Sequence, residues 1–251
     1  MNPIDQLVLF FISLVANTFS AFSGGGAGLI QFPVLIFLGL TFSVALATHK
    51  LASVALGLGA VIRYRSSSNL DRKFVSMILV AGLPGVILGG RLILDVPEHI
   101  SILALGILTG SLGLYSIFKP TLGQDDLVKH RNSKGYLIGG IILFVLGVLN
   151  GSLTSGTGLF VTLWLVGWFG LDYQRAVAYT LILVGVFWNG AGAITLGLLA
   201  EIHWQWLPAL LLGSLIGGYI GSHLAIKHGN RWIKRSFETV TLLISFKLIW
   251  T

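Results

Sequence analysis

The chain has 251 residues, of which 55% are hydrophobic and only 10% are charged, and its mean hydropathy is +0.88. Soluble domains carry roughly 25% charged residues, so this composition excludes an ordinary soluble domain and predicts an all-α polytopic membrane protein. The absence of cysteine excludes disulfides, thiol catalysis and thiolate metal sites, and basic cytoplasmic loops account for the net charge of +7 without nucleic acid.

Apolar segments follow one another along the chain, and two glycine-rich breaks interrupt them. The first segment, 7–22, has no basic stretch before it, so we expect it to be retained rather than cleaved as a signal peptide. The first break, 23–28, follows it, and a short apolar run, 29–40, comes next. We predict further apolar segments at 42–62, 74–94, 100–118, 136–153, 159–170, 175–196, 206–226 and 237–250, with the second break at 154–158.

The hydrophilic linker 119–134 divides the chain into a first transmembrane repeat, 1–118, and a second, 135–251. Matching residues recur in the same order across both halves, which favours an internal repeat. The glycines of the later pairs are expected to permit close helix packing. The matched pairs are Gly26 with Gly156, Gly28 with Gly158, Leu29 with Leu159, Thr48 with Thr180, Leu51 with Leu183, Gly85 with Gly217, Gly89 with Gly221 and Leu92 with Leu224.

Basic residues predict that the two repeats are inverted. The loop at 63–73 holds four Lys or Arg residues, whereas its counterpart around Glu201 and His203 holds none. Lys and Arg concentrate in cytoplasmic loops, so corresponding loops face opposite sides. Each half then needs an odd number of passages, which a glycine-broken re-entrant hairpin followed by three transmembrane helices provides. We expect a multi-pass protein of the cell (inner or plasma) membrane, with both termini external and the linker cytoplasmic.

The hairpin tips are predicted to meet near the middle of the membrane. The run 29–40 corresponds to roughly 18 Å of helix, which is too short to cross a hydrocarbon core of about 30 Å. A helix that begins after a break presents unpaired N–H groups and a positive dipole end, which favour an anion. The predicted substrate-binding residues are Gly24, Gly25, Gly26, Gly28, Thr48, Lys50, Ser155, Gly156, Thr157, Gly158, Thr180 and Asn189.

Lys50 lies deep inside a predicted span, about 13 Å from its external start by helical rise. All nine acidic residues fall in loops or near span ends, so a carboxylate partner for Lys50 is not expected and the ligand would supply the negative charge. The alternative is a structural lysine bonded to carbonyls of a broken helix. The adjacent His49 is the candidate for proton coupling, and Asn17, Gln31 and Asn150 are candidates for bonds between helices.

The segment SGGGAGLIQFPVLIFLGLTFSVALATHKLAS and its repeat TSGTGLFVTLWLVGWFGLDYQRAVAYT resemble the sulfite exporter TauE/SafE family of membrane permeases over nearly the whole chain. The most specific parts are the break followed by a run with Pro33 and the Ala-x-x-Thr segment that ends at Thr48. The second half lacks the proline and has Ser or Thr in place of two glycines. The resemblance implies a permease for sulfite, a sulfonate or another small organic or sulfur-containing anion.

We therefore expect a secondary transporter that works by alternating access, with no enzyme activity, cofactor or metal. The expected partners are a small anionic substrate and the lipid bilayer, with a proton or sodium as candidate coupling ion; a homodimer stays open. Alternatives are a passive anion channel and a non-transporting scaffold or assembly factor. An intramembrane serine hydrolase is disfavoured, because the predicted membrane depths of the candidate groups differ. These groups are Ser152 or Ser155 with His203 or His223.

Overall fold

The computed structural model describes residues 3–65, 70–92, 98–153 and 156–249, and every regular element in these ranges is helical. Six helices in these ranges are long and apolar enough to cross a membrane, which confirms the predicted all-α polytopic membrane fold. The helices are α1 Pro3–Ser23, α2 Gln31–Phe37, α3 Phe42–Tyr64, α4 Arg72–Leu92, α5 Glu98–Ile117, α6 Ser133–Leu153, α7 Thr157–Phe169, α8 Tyr173–Gly197, α9 Leu207–His228 and α10 Asn230–Ile249, with a 3₁₀ turn at Ala27–Leu29.

Glycines allow α1 to pack on α9, and α4 on α6, at backbone distance. A side-chain carbon added at Gly217 would lie 2.7 Å from the carbonyl oxygen of Leu14, and one added at Gly85 would lie 3.0 Å from the backbone nitrogen of Val148. Helices in lipid associate through such close van der Waals packing. The packing role predicted for these glycines is confirmed.

The helix pairs of the bundle map onto one another when the two halves are exchanged. The pair α1–α9 becomes α6–α4, while α3–α8 and α5–α10 each map onto themselves. At the centre of α3–α8, a side-chain carbon on Gly57 would lie 2.7 Å from the carbonyl carbon of Gly185, so these two backbones also touch. Each of these packed pairs therefore joins one helix of the first half to one helix of the second half.

The two ends of the bundle contain different loops. At one end, Leu127 of the linker donates its N–H to the carbonyl of Gly170 (2.7 Å), and the N–H of Asp71 donates to the Tyr179 hydroxyl (2.6 Å). At the other end, Gln6 in the first turns of α1 donates to the carbonyl of Gln205, just before α9 (2.6 Å). Helix α6 begins at the linker end and α1 begins at the opposite end.

Two predicted boundaries are wrong. The run 29–40 does not form one helix of about a dozen residues, because the 3₁₀ turn is followed by only seven residues of α2, and Gly39 (φ +101°) lies just beyond the helix. The last helix begins at Asn230 rather than at 237, so residues 230–236, which the sequence prediction leaves between two apolar segments, are helical. There Lys234 is buried, donates to the carbonyl of Ser116 (2.6 Å) and pairs with Glu238 one turn further along.

Candidate functional site

The two glycine breaks contact each other, as the sequence predicts. Gly24, Gly25 and Gly26 have φ angles of +91°, +140° and +98°, and Gly156 has +76°, a region that side chains disfavour. A side-chain carbon on Gly25 would lie 2.7 Å from both the carbonyl carbon of Gly158 and the next backbone nitrogen. Glycine is therefore required at position 25 both for its backbone conformation and for the contact between the breaks.

A cavity of about 40 Å³ lies where the breaks meet, between α1, α3, α6, α7 and α8. A cavity needs about 10–15 Å³ to hold one water molecule, so this one has room for a few waters or one small ion. Its walls combine backbone of both breaks with polar side chains of the long helices. The polar side chains are those of Ser20, His49, Ser53, Asn150, Thr157, Thr180 and Asn189.

The wall formed by α8 is not regular α-helix. Residues Thr180–Trp188 are π-helical, a conformation that occurs mostly as short insertions and often at functional sites. Thr180, Leu181, Val184 and Gly185 of this segment line the cavity, together with Asn189 directly after it. The sequence predicts an apolar segment at 175–196, and the change of helix type within it is visible only in the structure.

The cavity wall contains hydrogen-bond donors without acceptors. Within the described ranges, the N–H groups of Gly26 and Gly158 have no acceptor, and neither has Nδ2 of Asn189. Gly158 belongs to the first turn of α7, whose 13 residues direct their positive dipole end towards the breaks. The unpaired groups at this point of the wall are suited to a ligand that accepts hydrogen bonds.

Lys50 is fully buried and lies behind this wall. Its Nζ donates to the carbonyl oxygen of Asn150 (2.6 Å), to Oδ1 of Asn150 (2.7 Å) and to Oδ1 of Asn189 (3.1 Å). Three acceptors match the three protons of an ammonium group. The ion pairs in the described part of the chain do not include Lys50.

The first of these acceptors belongs to the end of a helix. Helix α6 ends at Leu153, so the carbonyl of Asn150 is one of the last four, which lack intrahelical partners. Lys50 therefore stabilises the negative end of α6, which matches the alternative of a lysine bonded to a broken helix. The side chains of Asn150 and Asn189 stand between its ammonium group and the cavity, so Lys50 reaches a ligand there through these amides.

The chain matches the family model described as sulfite exporter TauE/SafE over residues 9–248. It belongs to this family. A probable membrane transporter protein of Haemophilus influenzae is 28% identical over 250 residues, which cover 98% of this chain and 96% of that protein. The probable membrane transporter protein YfcA of Escherichia coli is also 28% identical, over 254 residues that cover 100% and 91% of the two chains. YunE of Bacillus subtilis, described in the same words, is 22% identical over 270 residues, which cover 97% of each chain. The protein is therefore a multi-pass membrane transporter.

The predicted site residues of this TauE/SafE protein occupy three kinds of position. Thr48 accepts a hydrogen bond from the N–H of His203 (3.0 Å) and does not line the cavity. Gly24 and Gly156 each neighbour lining residues but do not line the cavity, and the carbonyl of Gly24 accepts from Thr162 (2.7 Å). Ser155 falls outside the described residues. The predicted residues that line the cavity are Gly25, Gly26, Gly28, His49, Thr157, Gly158, Thr180 and Asn189.

Three polar residues of the TauE/SafE site are absent from the sequence prediction. Ser53 lines the cavity one turn after His49, and Ser20 lines it one turn before the first break. Thr162 is buried in α7, where its hydroxyl lies 2.7 Å from the Gly24 carbonyl and 2.9 Å from the Thr180 hydroxyl. The spacing of four residues from His49 places Ser53 on the same helix face, whereas no sequence signal identifies Thr162.

The groups considered for a serine hydrolase have other contacts. The Ser152 hydroxyl donates to the carbonyl of Val148 in its own helix (2.9 Å). His223 accepts at Nδ1 from Nε of Arg63 (3.1 Å), and His203 contacts Thr48 through its backbone. These contacts provide no support for a serine–histidine pair among the described residues.

Proposed function

We propose that this TauE/SafE-family protein is a secondary transporter that carries a small anion through the cavity between the two glycine breaks. The observation that carries the proposal is the set of unpaired donors on the cavity wall, which are, among the described residues, the N–H groups of Gly26 and Gly158 and Nδ2 of Asn189. An anion accepts hydrogen bonds and donates few or none, so it complements these groups.

The balance of helix ends also favours an anion. The N-terminus of α7 contributes a positive end at the cavity, whereas the negative C-terminal ends of α6 and α1 are already bonded, to Lys50 and to backbone N–H groups of the first break. A carboxylate that would offset this charge is absent from the cavity wall within the described residues. A bound anion would therefore supply the negative charge that the wall lacks beside the positive end of α7 and Lys50.

Alternating access is supported by the packing of the two halves against each other. Helices α1 and α6, which are equivalent in the repeat, begin at opposite ends of the bundle, and the packed helix pairs map onto one another when the halves are exchanged. Inverted repeats with broken helices meeting at a central site are typical of secondary transporters. In this proposal the two halves rock about the cavity in a cell membrane, with both termini external and the linker cytoplasmic.

The size of the cavity limits the substrate to a small anion. About 40 Å³ leaves no space for a sugar or nucleotide without further opening, and the family description names sulfite. We propose sulfite, a sulfonate or another small organic or sulfur-containing anion as the substrate class.

A thermal unfolding screen of the detergent-purified protein tests the site. The panel contains sulfite, thiosulfate, ethanesulfonate, sulfate, phosphate and acetate. A ligand at 100 times its Kd stabilises the folded state by about 2.7 kcal/mol. Asn189→Asp keeps an oxygen acceptor for Lys50 but replaces the free NH₂ with a negative oxygen, so we expect it to fold and to lose the stabilisation. Asn132→Asp, at an exposed position before α6, is the matched control. Equal stabilisation of the Asn189→Asp variant and the wild type would contradict the proposed site.

Counterflow in proteoliposomes distinguishes a transporter from a channel. Liposomes loaded with the stabilising anion should transiently accumulate the same labelled anion from outside if binding sites alternate between the two faces. A passive channel gives linear, unsaturated equilibration without accumulation. Equilibration without accumulation would show that the protein is a channel, and it would not contradict the proposed anion site.

The inverted topology has a separate test, because the natural chain contains no cysteine. Lys73→Cys lies at the start of α4, near the linker end, and Ala200→Cys lies between α8 and α9. In intact cells an impermeant maleimide should label the Ala200→Cys variant but not the Lys73→Cys variant, which should react only after the membrane is opened. Labelling of both variants from one side would contradict the inverted arrangement.

A further inference from the structure

A chain of buried hydrogen bonds runs from the cavity to the contact between α1 and α9. Ser53 on the cavity wall lies 3.2 Å from Nε2 of His49, and Nδ1 of His49 lies 2.7 Å from Oε1 of Gln31. Nε2 of Gln31 donates to the Ser13 hydroxyl (2.9 Å), which donates to the carbonyl of Leu210 (2.8 Å). Every side chain of this network is buried.

The orientation of the Gln31 amide sets the direction of the bonds on either side of it. The Ser13 hydroxyl, which also lies 3.0 Å from the Ser214 hydroxyl, gives its single proton to the Leu210 carbonyl or to Ser214. The Ser13 oxygen must then accept from Gln31, which places the NH₂ group of Gln31 towards Ser13 and its oxygen towards His49. Because that oxygen only accepts, Nδ1 of His49 carries a proton.

The neutral imidazole has one proton, so Nε2 of His49 is left as an acceptor that faces Ser53. The Ser53 hydroxyl then donates to Nε2, and its oxygen presents lone pairs to the cavity. When Nε2 binds a proton, it becomes a donor to the Ser53 oxygen. The Ser53 proton is released to point into the cavity, where it can donate to an anion.

We propose that His49 binds the coupling proton at Nε2 and that Ser53 transmits this change to the anion in the cavity, so that one anion and one proton bind together. The inference rests on the proposed anion site. The proton comes from a hydronium ion in the solvent that reaches the cavity: its O–H bond breaks, the Nε2–H bond forms, and a water molecule is left. Since each ligand favours binding of the other, the coupling is reciprocal.

The charged and titratable groups around His49 are few in the described part of the chain. On its own helix the neighbour is Lys50, whose ammonium group is directed to α6. The loop before α9 places the backbone of His203 against Thr48. α2 contributes Gln31 and Phe32, which are neutral. α1, α8 and α9 carry their charged groups and histidines only near their ends; these are Asp5, Arg175, His223, Lys227 and His228.

The protonated nitrogen can be observed without any ligand. ¹⁵N-histidine spectra of the full-length protein, with the His49 signals assigned through their loss in His49→Gln, report which ring nitrogen carries the proton. We expect the Nδ1–H form at alkaline pH. The Nε2–H form would overturn the proposal, because Ser53 could not then change its role on protonation.

The coupling is measured as the pH dependence of anion affinity between pH 4 and 8. The probes are ethanesulfonate, sulfate and thiosulfate, whose charge stays constant in this range. Above the pH at which His49 titrates, wild-type affinity should fall about tenfold per pH unit, as expected for uptake of one proton. His49→Gln should bind weakly and without pH dependence. Ser53→Ala should lose at least about fivefold in affinity at low pH and little at high pH, since it removes one hydrogen bond to the anion.

Ser222→Ala is the matched control, because Ser222 is equally buried but belongs neither to the network nor to the cavity wall. It should follow the wild-type pH profile. A wild-type pH slope that persists in His49→Gln would overturn the proposal while leaving the anion site intact. Anion binding without pH dependence in the wild type would do the same. A protein that binds none of the probes at any pH would instead contradict the proposed function.

Discussion

The two glycine breaks contact each other, yet their ends are stabilised in different ways. In the first break, the carbonyl of Ser20 near the end of α1 accepts from the N–H groups of Gly24 (3.0 Å) and Gly25 (2.8 Å). In the second, the carbonyl of Asn150 near the end of α6 accepts from Lys50, which lies 100 residues away in the chain. The end of α1 is therefore stabilised by backbone N–H groups of the first break, and the end of α6 by a side chain from α3.

The predicted repeat indicates why the two helix ends are stabilised differently. At the spacing that matches Thr48 with Thr180, the counterpart of Lys50 is Ile182, which cannot stabilise a helix end. The first break has three consecutive glycines with positive φ, which let the chain fold back onto its last turn. Positions that the predicted repeat matches, such as Lys50 and Ile182, can therefore differ in their chemistry. The first break should be sensitive to backbone changes, and the second to the loss of Lys50.

The largest effect is expected at Gly25. Gly25→Ala places a carbon 2.7 Å from the backbone of Gly158 and also strains φ, so we expect a loss of at least about 4 kcal/mol of stability, or no folded protein. Gly39→Ala has similar strain, with open space around the added carbon, and should cost about 1–2 kcal/mol. Thermal unfolding and size-exclusion chromatography measure both. Equal costs would mean that the breaks are not in tight contact.

The loss of Lys50 should rank second. Lys50→Met preserves the length of the side chain but leaves two buried oxygens of Asn150, its carbonyl oxygen and Oδ1, without their donor, which should cost about 3 kcal/mol. Lys129→Met, at an exposed position in the linker, is the control and should be near neutral. Denaturant midpoints in detergent provide the comparison. A near-neutral Lys50→Met would show that the end of α6 does not depend on this lysine.

Thr162 connects α7 to the first break, and the loss of its hydroxyl should lower the stability by an intermediate amount. Thr162→Val keeps the shape of the side chain but leaves the buried carbonyl of Gly24 without a donor, at a cost of about 1–2 kcal/mol. Thr195→Val removes a hydroxyl that bonds only within its own helix and should cost less than about 0.5 kcal/mol. Unfolding temperatures of the two variants are compared directly. If both lose the same amount, the bond from α7 to the first break contributes nothing specific.

The smallest effect is expected at Gly158, although it faces Gly25 across the same contact. A carbon added there would lie 3.3 Å from Cα of Gly25 and 3.4 Å from a methyl carbon of Thr180, and its φ angle is not positive. Gly158→Ala should therefore cost no more than about 1 kcal/mol, because modest overpacking is partly relieved by small shifts. Thermal unfolding beside Gly25→Ala tests this asymmetry. A cost as large as that of Gly25→Ala would contradict the difference between the breaks.

The sequence predicts those parts of the site that depend on local backbone or on composition. The glycine breaks are visible because few residues other than glycine adopt positive φ, and Lys50 and His49 are conspicuous because polar groups are rare within apolar segments. Ser53 is indicated only by its spacing of four residues from His49. Thr162 has no signal, since serine and threonine are common in membrane helices and bond within their own helix when no other partner is present.

The sequence by itself determined the membrane class, the positions of the breaks and the glycine faces on which helices pack, since these follow from hydropathy, backbone sterics and side-chain size. Only the tertiary structure decided what Lys50 binds, how the network orients His49 and which donors remain unpaired at the cavity. A backbone carbonyl looks the same at every position of a sequence. Which carbonyl a buried donor meets therefore depends on how distant helices pack.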